Sequence, residues 1–99
     1  MLKEDLIQKL KNKNARVAIL GLGYVGLPLA VVFAEAGFKV TGVDPDAGKV
    51  DSLKGGVSYI PDVKSESVAA LVKSGHFTAT TDFSVLKEMD AVSICVPTP

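Results

Sequence analysis

The residues best placed to do chemistry are three glycines in the run Gly21-Leu22-Gly23-Tyr24-Val25-Gly26, which fits the spacing G-x-G-x-x-G. Glycine at the first position permits a tight turn. At the second it lets backbone come close to a pyrophosphate, and at the third it lets a following helix pack close to a sheet. The unpaired N–H groups and the dipole at a helix start then stabilise phosphate charge. The spacing alone says little, because glycine is common; its context says more. The apolar run Arg16-Val17-Ala18-Ile19-Leu20 precedes it and a helix-type stretch follows. Asp44 stands eighteen residues after Gly26, at the end of the next strand-type run. A carboxylate there accepts hydrogen bonds from the hydroxyls of an adenosine ribose and repels a ribose phosphate, so the pattern points to NAD rather than NADP. The plain alternative is a turn of glycines with Asp44 capping a helix. Strand, glycines, helix and acid in register weigh against it. Asp46 is a rival acid, but its place at the start of the next helix suits N-capping.

The other reactive side chains offer less. Cys95, the single cysteine, sits in the apolar run of residues 92–96, where a thiol behaves as a small hydrophobe. A nucleophilic thiol needs a cationic partner or an electropositive, accessible site. His76, the single histidine, falls before the third strand, away from the strand ends that gather a ligand, and reads as a surface-turn residue. No His/Cys cluster suggests a metal site, and no residue qualifies as catalytic.

The elements that must carry the glycines and Asp44 are legible in the hydropathy pattern. Leu2, Leu6, Ile7 and Leu10 mark one face of a short helix within residues 1–14. Residues 15–99 then form one incomplete dinucleotide-binding domain. Its first strand is the unalternating run at residues 16–20, as expected of a buried parallel strand. A helix over residues 24–36 follows, with Pro28 tolerated in the first turn and Gly37 as the stop. A second strand covers residues 38–43, a helix residues 46–53 closed by Gly55-Gly56, and a loop residues 57–64. A helix over residues 65–73 has Ser65 as N-cap and Gly75 as stop. A third strand covers residues 77–80, Asp82 caps a helix reaching Glu88, and a fourth strand covers residues 91–96. Strands alternating with helices indicate an α/β fold, a Rossmann-type parallel sheet of order 3-2-1-4.

Composition narrows the function classes. At 99 residues the chain is expected to hold one domain. Lys plus Arg and Asp plus Glu both number 11, so the formal net charge is zero, which argues against a nucleic-acid partner. The apolar stretch at residues 17–36 is interrupted by Gly21, Gly23, Gly26 and Pro28 and reads as strand and helix, not as a membrane span. One cysteine and no apolar leader run make a cytoplasmic location the expectation.

Beyond the bare glycines, the sequence resembles the N-terminal, NAD-binding part of the UDP-sugar 6-dehydrogenase family over residues 16–99. The resemblance rests on Gly21-Leu22-Gly23-Tyr24-Val25-Gly26-Leu27-Pro28, on Val43-Asp44 with Lys49-Val50, on Thr80-Thr81-Asp82, and on Val96-Pro97-Thr98-Pro99. It implies loop contacts to the cofactor from Gly21, Leu22, Gly23, Tyr24, Val25 and Gly26. It also implies that Asp44 holds the adenosine ribose, that Lys49 reaches that ribose or a phosphate, and that Thr80 closes over the dinucleotide. Alternatives stand beside three of these: Lys49 as a solvated helix lysine, Thr80 as an ordinary strand end, and Tyr24 as packing at the helix start. The run at residues 56–63 departs from the Glu-Pro-Gly-Leu pattern of the UDP-glucose members and is more similar to the UDP-N-acetylhexosamine members, the N-acetylglucosamine type above all.

The resemblance implies oxidation of a sugar C6 hydroxyl to a carboxylate, with NAD accepting hydride in successive transfers and an intermediate aldehyde held on a cysteine thiol. Polysaccharide synthesis is the setting it implies. The thiol, an assisting lysine and the UDP-sugar-binding groups belong to later parts of such proteins, so this chain is expected to bind NAD without turning over. The competing reading is a stand-alone, non-catalytic dinucleotide-binding module, a sensor or regulatory domain. A hydroxyacid dehydrogenase of the 6-phosphogluconate type shares the fold but not the motif set. The fourth strand lacks a neighbour, so self-association through residues 91–96 and a homo-oligomer are expected.

Overall fold

The computed structural model describes residues 15–95. The expected helix within residues 1–14 and the Val96-Pro97-Thr98-Pro99 motif lie outside that range. Four strands form one parallel sheet: β1 (Arg16–Leu20), β2 (Lys39–Val43), β3 (Phe77–Thr80) and β4 (Ala91–Ile94), in the order β3-β2-β1-β4. This is the Rossmann-type order expected. Between the strands come α1 (Gly26–Glu35), α2 (Ala47–Lys54), α3 (Ser65–Ser74) and a 3-10 turn at Phe83–Glu88.

Register explains where the core lies. Val17 pairs with Val40, and Val40 with Phe77, so these three side chains form one row on one face of the sheet. Ile19, Gly42 and Ala79 form the next row. Against these rows pack Leu27, Ala30, Val31 and Ala34 of α1, Val50 and Leu53 of α2, and Val68 of α3. Each fully buried Val, Leu or Ile contributes about 1.5–3 kcal/mol. On the other face the β4 residues Val92 and Ile94 are 45% and 66% exposed.

Helix ends follow sequence chemistry. Pro28 falls in the first turn of α1, where no intrahelical partner is lost. Gly37 (φ 103°) and Gly75 (φ 83°) take the left-handed conformation that ends α1 and α3. The side chain of Asp46 caps α2, accepting from Gly48 N–H at 2.9 Å. At the base of the sheet, Asp90 accepts from Arg16 N–H through its carboxylate and donates its own N–H to the Arg16 carbonyl, both at 2.8 Å, which pins β4 to β1.

Three details differ from expectation. Helix α1 begins at Gly26 rather than Tyr24, because residues 21–25 are spent on the loop. Lys64, not Ser65, occupies the N-cap of α3 and makes no side-chain cap bond. The Ser65 hydroxyl instead accepts from Ser58 N–H at 2.9 Å and ties down the preceding loop. The helix after Asp82 is a short 3-10 segment, capped by the Asp82 carboxylate through Ser84 N–H at 2.9 Å. A bond from the Ser84 hydroxyl, and after it the one from Ser84 N–H, holds the Asp82 carboxyl below the usual carboxylate range.

Candidate functional site

A cleft of about 860 Å³ opens at the carboxyl ends of β1 and β2, a volume within the range of small-molecule sites. The connections reverse direction between β1 and β4, and open α/β sheets bind their ligands beside such a switch.

The three glycines serve different ends. Gly21 has φ 96°, donates its N–H to the Val43 carbonyl at 2.8 Å, and lies so close to Cys95 that a Cβ would overlap the Cys95 carbonyl. A Cβ on Gly26 would overlap the Gly21 carbonyl. These two positions are therefore glycine for the protein's own packing. Gly23 is different: a Cβ there meets nothing within 4 Å, and its φ is not left-handed. Nothing in the described chain needs the space that Gly23 leaves. Among the described residues, the N–H groups of Gly23, Tyr24 and Val25 donate to no acceptor. They form the unsatisfied N-terminus of α1, a ready anion site.

Asp44 is 6% exposed, yet it lines the cleft. Its Oδ2 accepts from Leu22 N–H at 2.8 Å and its Oδ1 from Asp46 N–H at 2.9 Å. Each carboxylate oxygen keeps acceptor capacity for a further donor, which suits two vicinal hydroxyls. The carboxylate thus fixes the glycine loop and remains able to take a ligand.

Of the other expected site residues, Tyr24 and Val25 stand at the rim, 80% and 68% exposed. Exposure at that level leaves no packing role for Tyr24. Lys49 is half-buried on the cleft wall, with Nζ 6.0 Å from the ring centroid of Tyr59, a cation–π arrangement. Three residues stand behind the cleft rather than on its wall. Leu22 is fully buried, and its side chain fills the space over Gly42, where a Cβ would come within 2.6 Å of it. Gly26 is buried beneath the loop. Thr80 accepts Asp82 N–H on its hydroxyl at 3.0 Å and Asp44 N–H on its carbonyl at 3.1 Å, which ties β3 to the loop after β2.

Tyr59, Phe83 and Cys95 also line the cleft and were not expected there. Tyr59 comes from the loop between α2 and α3, and its hydroxyl donates to the Leu22 carbonyl at 2.5 Å. Burial, then the negative charges of Asp44 and Asp46, push its phenol up to about 12, so it stays a neutral donor at physiological pH. Cys95 is half-buried beyond β4 and donates its N–H to the Leu20 carbonyl at 2.7 Å. His76 sits at the opposite end of the sheet, its Nδ1 2.8 Å from the Ser74 hydroxyl. Among the described residues no group of His, Cys, Asp and Glu could hold a metal. No helix there is long and apolar enough to cross a membrane.

Residues 15–99 match the family described as "UDP-glucose/GDP-mannose dehydrogenase family, NAD binding domain". The chain belongs to this family. Similar proteins include UDP-N-acetyl-D-mannosamine dehydrogenase of Campylobacter jejuni, 39% identical over 89 residues, or 89% of this chain and 21% of that one. The Pyrococcus horikoshii enzyme of the same name is 35% identical over 86 residues, or 85% of this chain and 20% of that one. Among solved structures, a ternary complex of GDP-mannose dehydrogenase from Pseudomonas aeruginosa superposes with a TM-score of 0.79 at 36% identity, covering 85% of this chain and 20% of that one. The chain spans about a fifth of the length of these relatives. The motifs had pointed to this family, and within it to N-acetylhexosamine members of the glucosamine type. The two sequence relatives named here are N-acetylhexosamine dehydrogenases of the mannosamine type, and the solved structure is of a GDP-mannose dehydrogenase.

As the NAD-binding domain of its family, the chain carries groups that fit that cofactor. An open Gly23, unsatisfied N–H groups beside it and a carboxylate with spare acceptor capacity line one cleft.

Proposed function

We propose that the cleft binds the ADP-ribose part of NAD, and that this chain is the cofactor half of a UDP-N-acetylhexosamine 6-dehydrogenase. The N–H groups of Gly23, Tyr24 and Val25 receive the pyrophosphate. Asp44 receives the adenosine ribose hydroxyls, and Lys49 lies within reach of the same ribose or of a phosphate. Thr80 supports this wall from behind, and Leu22 and Gly26 shape the loop. Bound NAD supplies a hydride acceptor, which oxidation of a sugar C6 hydroxyl requires. The protein's part here is binding and orientation. On this reading the chain supplies the cofactor site, and the groups that act on the sugar belong to other parts of such a protein.

The observation that carries this reading is the pairing of Asp44 with Gly23. One presents a buried, pre-oriented carboxylate and the other an unobstructed backbone, on one cleft. Titration of NAD and NADP into the wild-type chain and Asp44→Asn tests it. The wild type is expected to favour NAD by at least about tenfold, through repulsion between the carboxylate and a ribose phosphate. Asp44→Asn, which keeps the shape and removes the charge, is expected to narrow that ratio. An unchanged ratio contradicts the ribose role of Asp44.

A further inference from the structure

Leu22 is held from both sides. Its N–H donates to Asp44 Oδ2 at 2.8 Å, and its carbonyl accepts from the Tyr59 hydroxyl at 2.5 Å. The second bond matters more for chemistry. The Leu22 carbonyl shares a peptide plane with Gly23 N–H, and the described residues contain no cis peptide. In a trans peptide the carbonyl and the N–H point in opposite directions. Drawing the Leu22 carbonyl toward Tyr59 therefore turns Gly23 N–H the other way. That N–H has no acceptor among the described residues, and Gly23 itself lines the cleft.

A loop containing glycines at two of three successive positions has wide freedom of φ and ψ, so its peptide planes rotate cheaply unless something fixes them. Gly21 is fixed by its bond to Val43 and by contact with Cys95. For the plane carrying Gly23 N–H, the fixing bond comes from Tyr59. The ring of Tyr59 lies under the Lys49 ammonium, 6.0 Å from its centroid, so the same side chain also holds a cation at the cleft wall.

We propose that Tyr59 is a positioning residue for phosphate binding: by donating to the Leu22 carbonyl, its hydroxyl aims Gly23 N–H at the pyrophosphate of a bound dinucleotide. This rests on the reading of the cleft as an NAD site. Tyr59→Phe removes the hydroxyl and leaves the ring, and with it the wall of the cleft and the seat of Lys49.

The test is titration of adenosine, ADP and NAD into the wild-type chain and Tyr59→Phe, followed by amide NMR. ADP and NAD are expected to bind the variant about fivefold more weakly, the loss that follows when one positioning hydrogen bond is removed. Adenosine, which lacks phosphate, is expected to bind both chains within about twofold. The Gly23 amide signal is expected to move in the unliganded variant. Equal affinity of both chains for ADP would overturn the positioning role while leaving the site intact. An equal loss for all three ligands would also overturn it, because general damage spares none of them. Failure of the wild-type chain to bind ADP or NAD would overturn the reading of the cleft and this inference with it.

Discussion

Asp44→Ala separates the structural duty of this carboxylate from its duty to a ligand. The substitution leaves two backbone donors without their acceptor. Leu22 N–H is buried and loses a bond to a charged oxygen, which costs about 1.5–3 kcal/mol. Asp46 N–H is only partly buried, so water replaces the carboxylate at a cost of about 0.5–1 kcal/mol. Together these amount to about 2–4 kcal/mol, a large share of the stability of a domain this size. At roughly 4–8 °C per kcal/mol, the melting midpoint is expected to fall by roughly 8–32 °C. Asp44→Asn keeps one oxygen for Leu22 N–H and is expected to lose about 1–2 kcal/mol. Thermal and urea unfolding followed by circular dichroism measure both. A midpoint for Asp44→Ala within about 4 °C of the wild type would refute the claim that this carboxylate holds the glycine loop.

Three further outcomes follow from the same geometry. Gly23→Ala is expected to leave stability within about 0.5 kcal/mol and to weaken NAD binding at least about tenfold, whereas Gly26→Ala drives a Cβ into the Gly21 carbonyl and is expected to cost about 3 kcal/mol or more; paired melts and titrations of the two variants check this. The ultraviolet difference between the wild type and Tyr59→Phe is expected to titrate near pH 12 rather than 10.0, since burial, Asp44 and Asp46 raise the phenol while Lys49 faces its ring. A raised folded value means that this stability is complete below about pH 10 and is lost as pH climbs toward 12, so high-pH melts of the two chains should converge. Sedimentation is expected to show concentration-dependent self-association through Val92 and Ile94, abolished by Val92→Lys with Ile94→Lys; a monomer at every concentration would contradict it.

What was legible in the sequence was whatever a local pattern encodes. The apolar run before the glycines, the acid after the second strand, and Gly37 and Gly75 at helix ends each need only neighbouring residues to do their work. They gave strand order, helix stops and the loop–acid pair. Six of the nine expected site residues stand on the cleft wall: Gly21, Gly23, Tyr24, Val25, Asp44 and Lys49. What was not legible depends on contacts across the fold. Tyr59 meets Leu22 across 37 residues, and no periodicity signals that its hydroxyl reaches a carbonyl in the first loop. Gly42 reads as an ordinary strand glycine until the Leu22 side chain is seen to occupy its space. Ser65 has the right chemistry for an N-cap, but the helix starts at Ser65 itself, so its hydroxyl is free to bind Ser58 N–H instead. Cys95 was read from its apolar neighbours as a small hydrophobe, and it packs half-buried against the core, but no local pattern shows that the chain passes the glycine loop there, one residue after β4 ends.

The central claim is that the open Gly23 loop and Asp44 form one NAD site. Mapping amide shifts of the labelled wild-type chain during NAD titration tests it most directly. The account predicts saturable shifts concentrated at residues 21–26, Asp44, Lys49 and Tyr59, with α3 and the β4 face unmoved. Absence of shifts, or shifts centred on α3 or the β4 face, would contradict it.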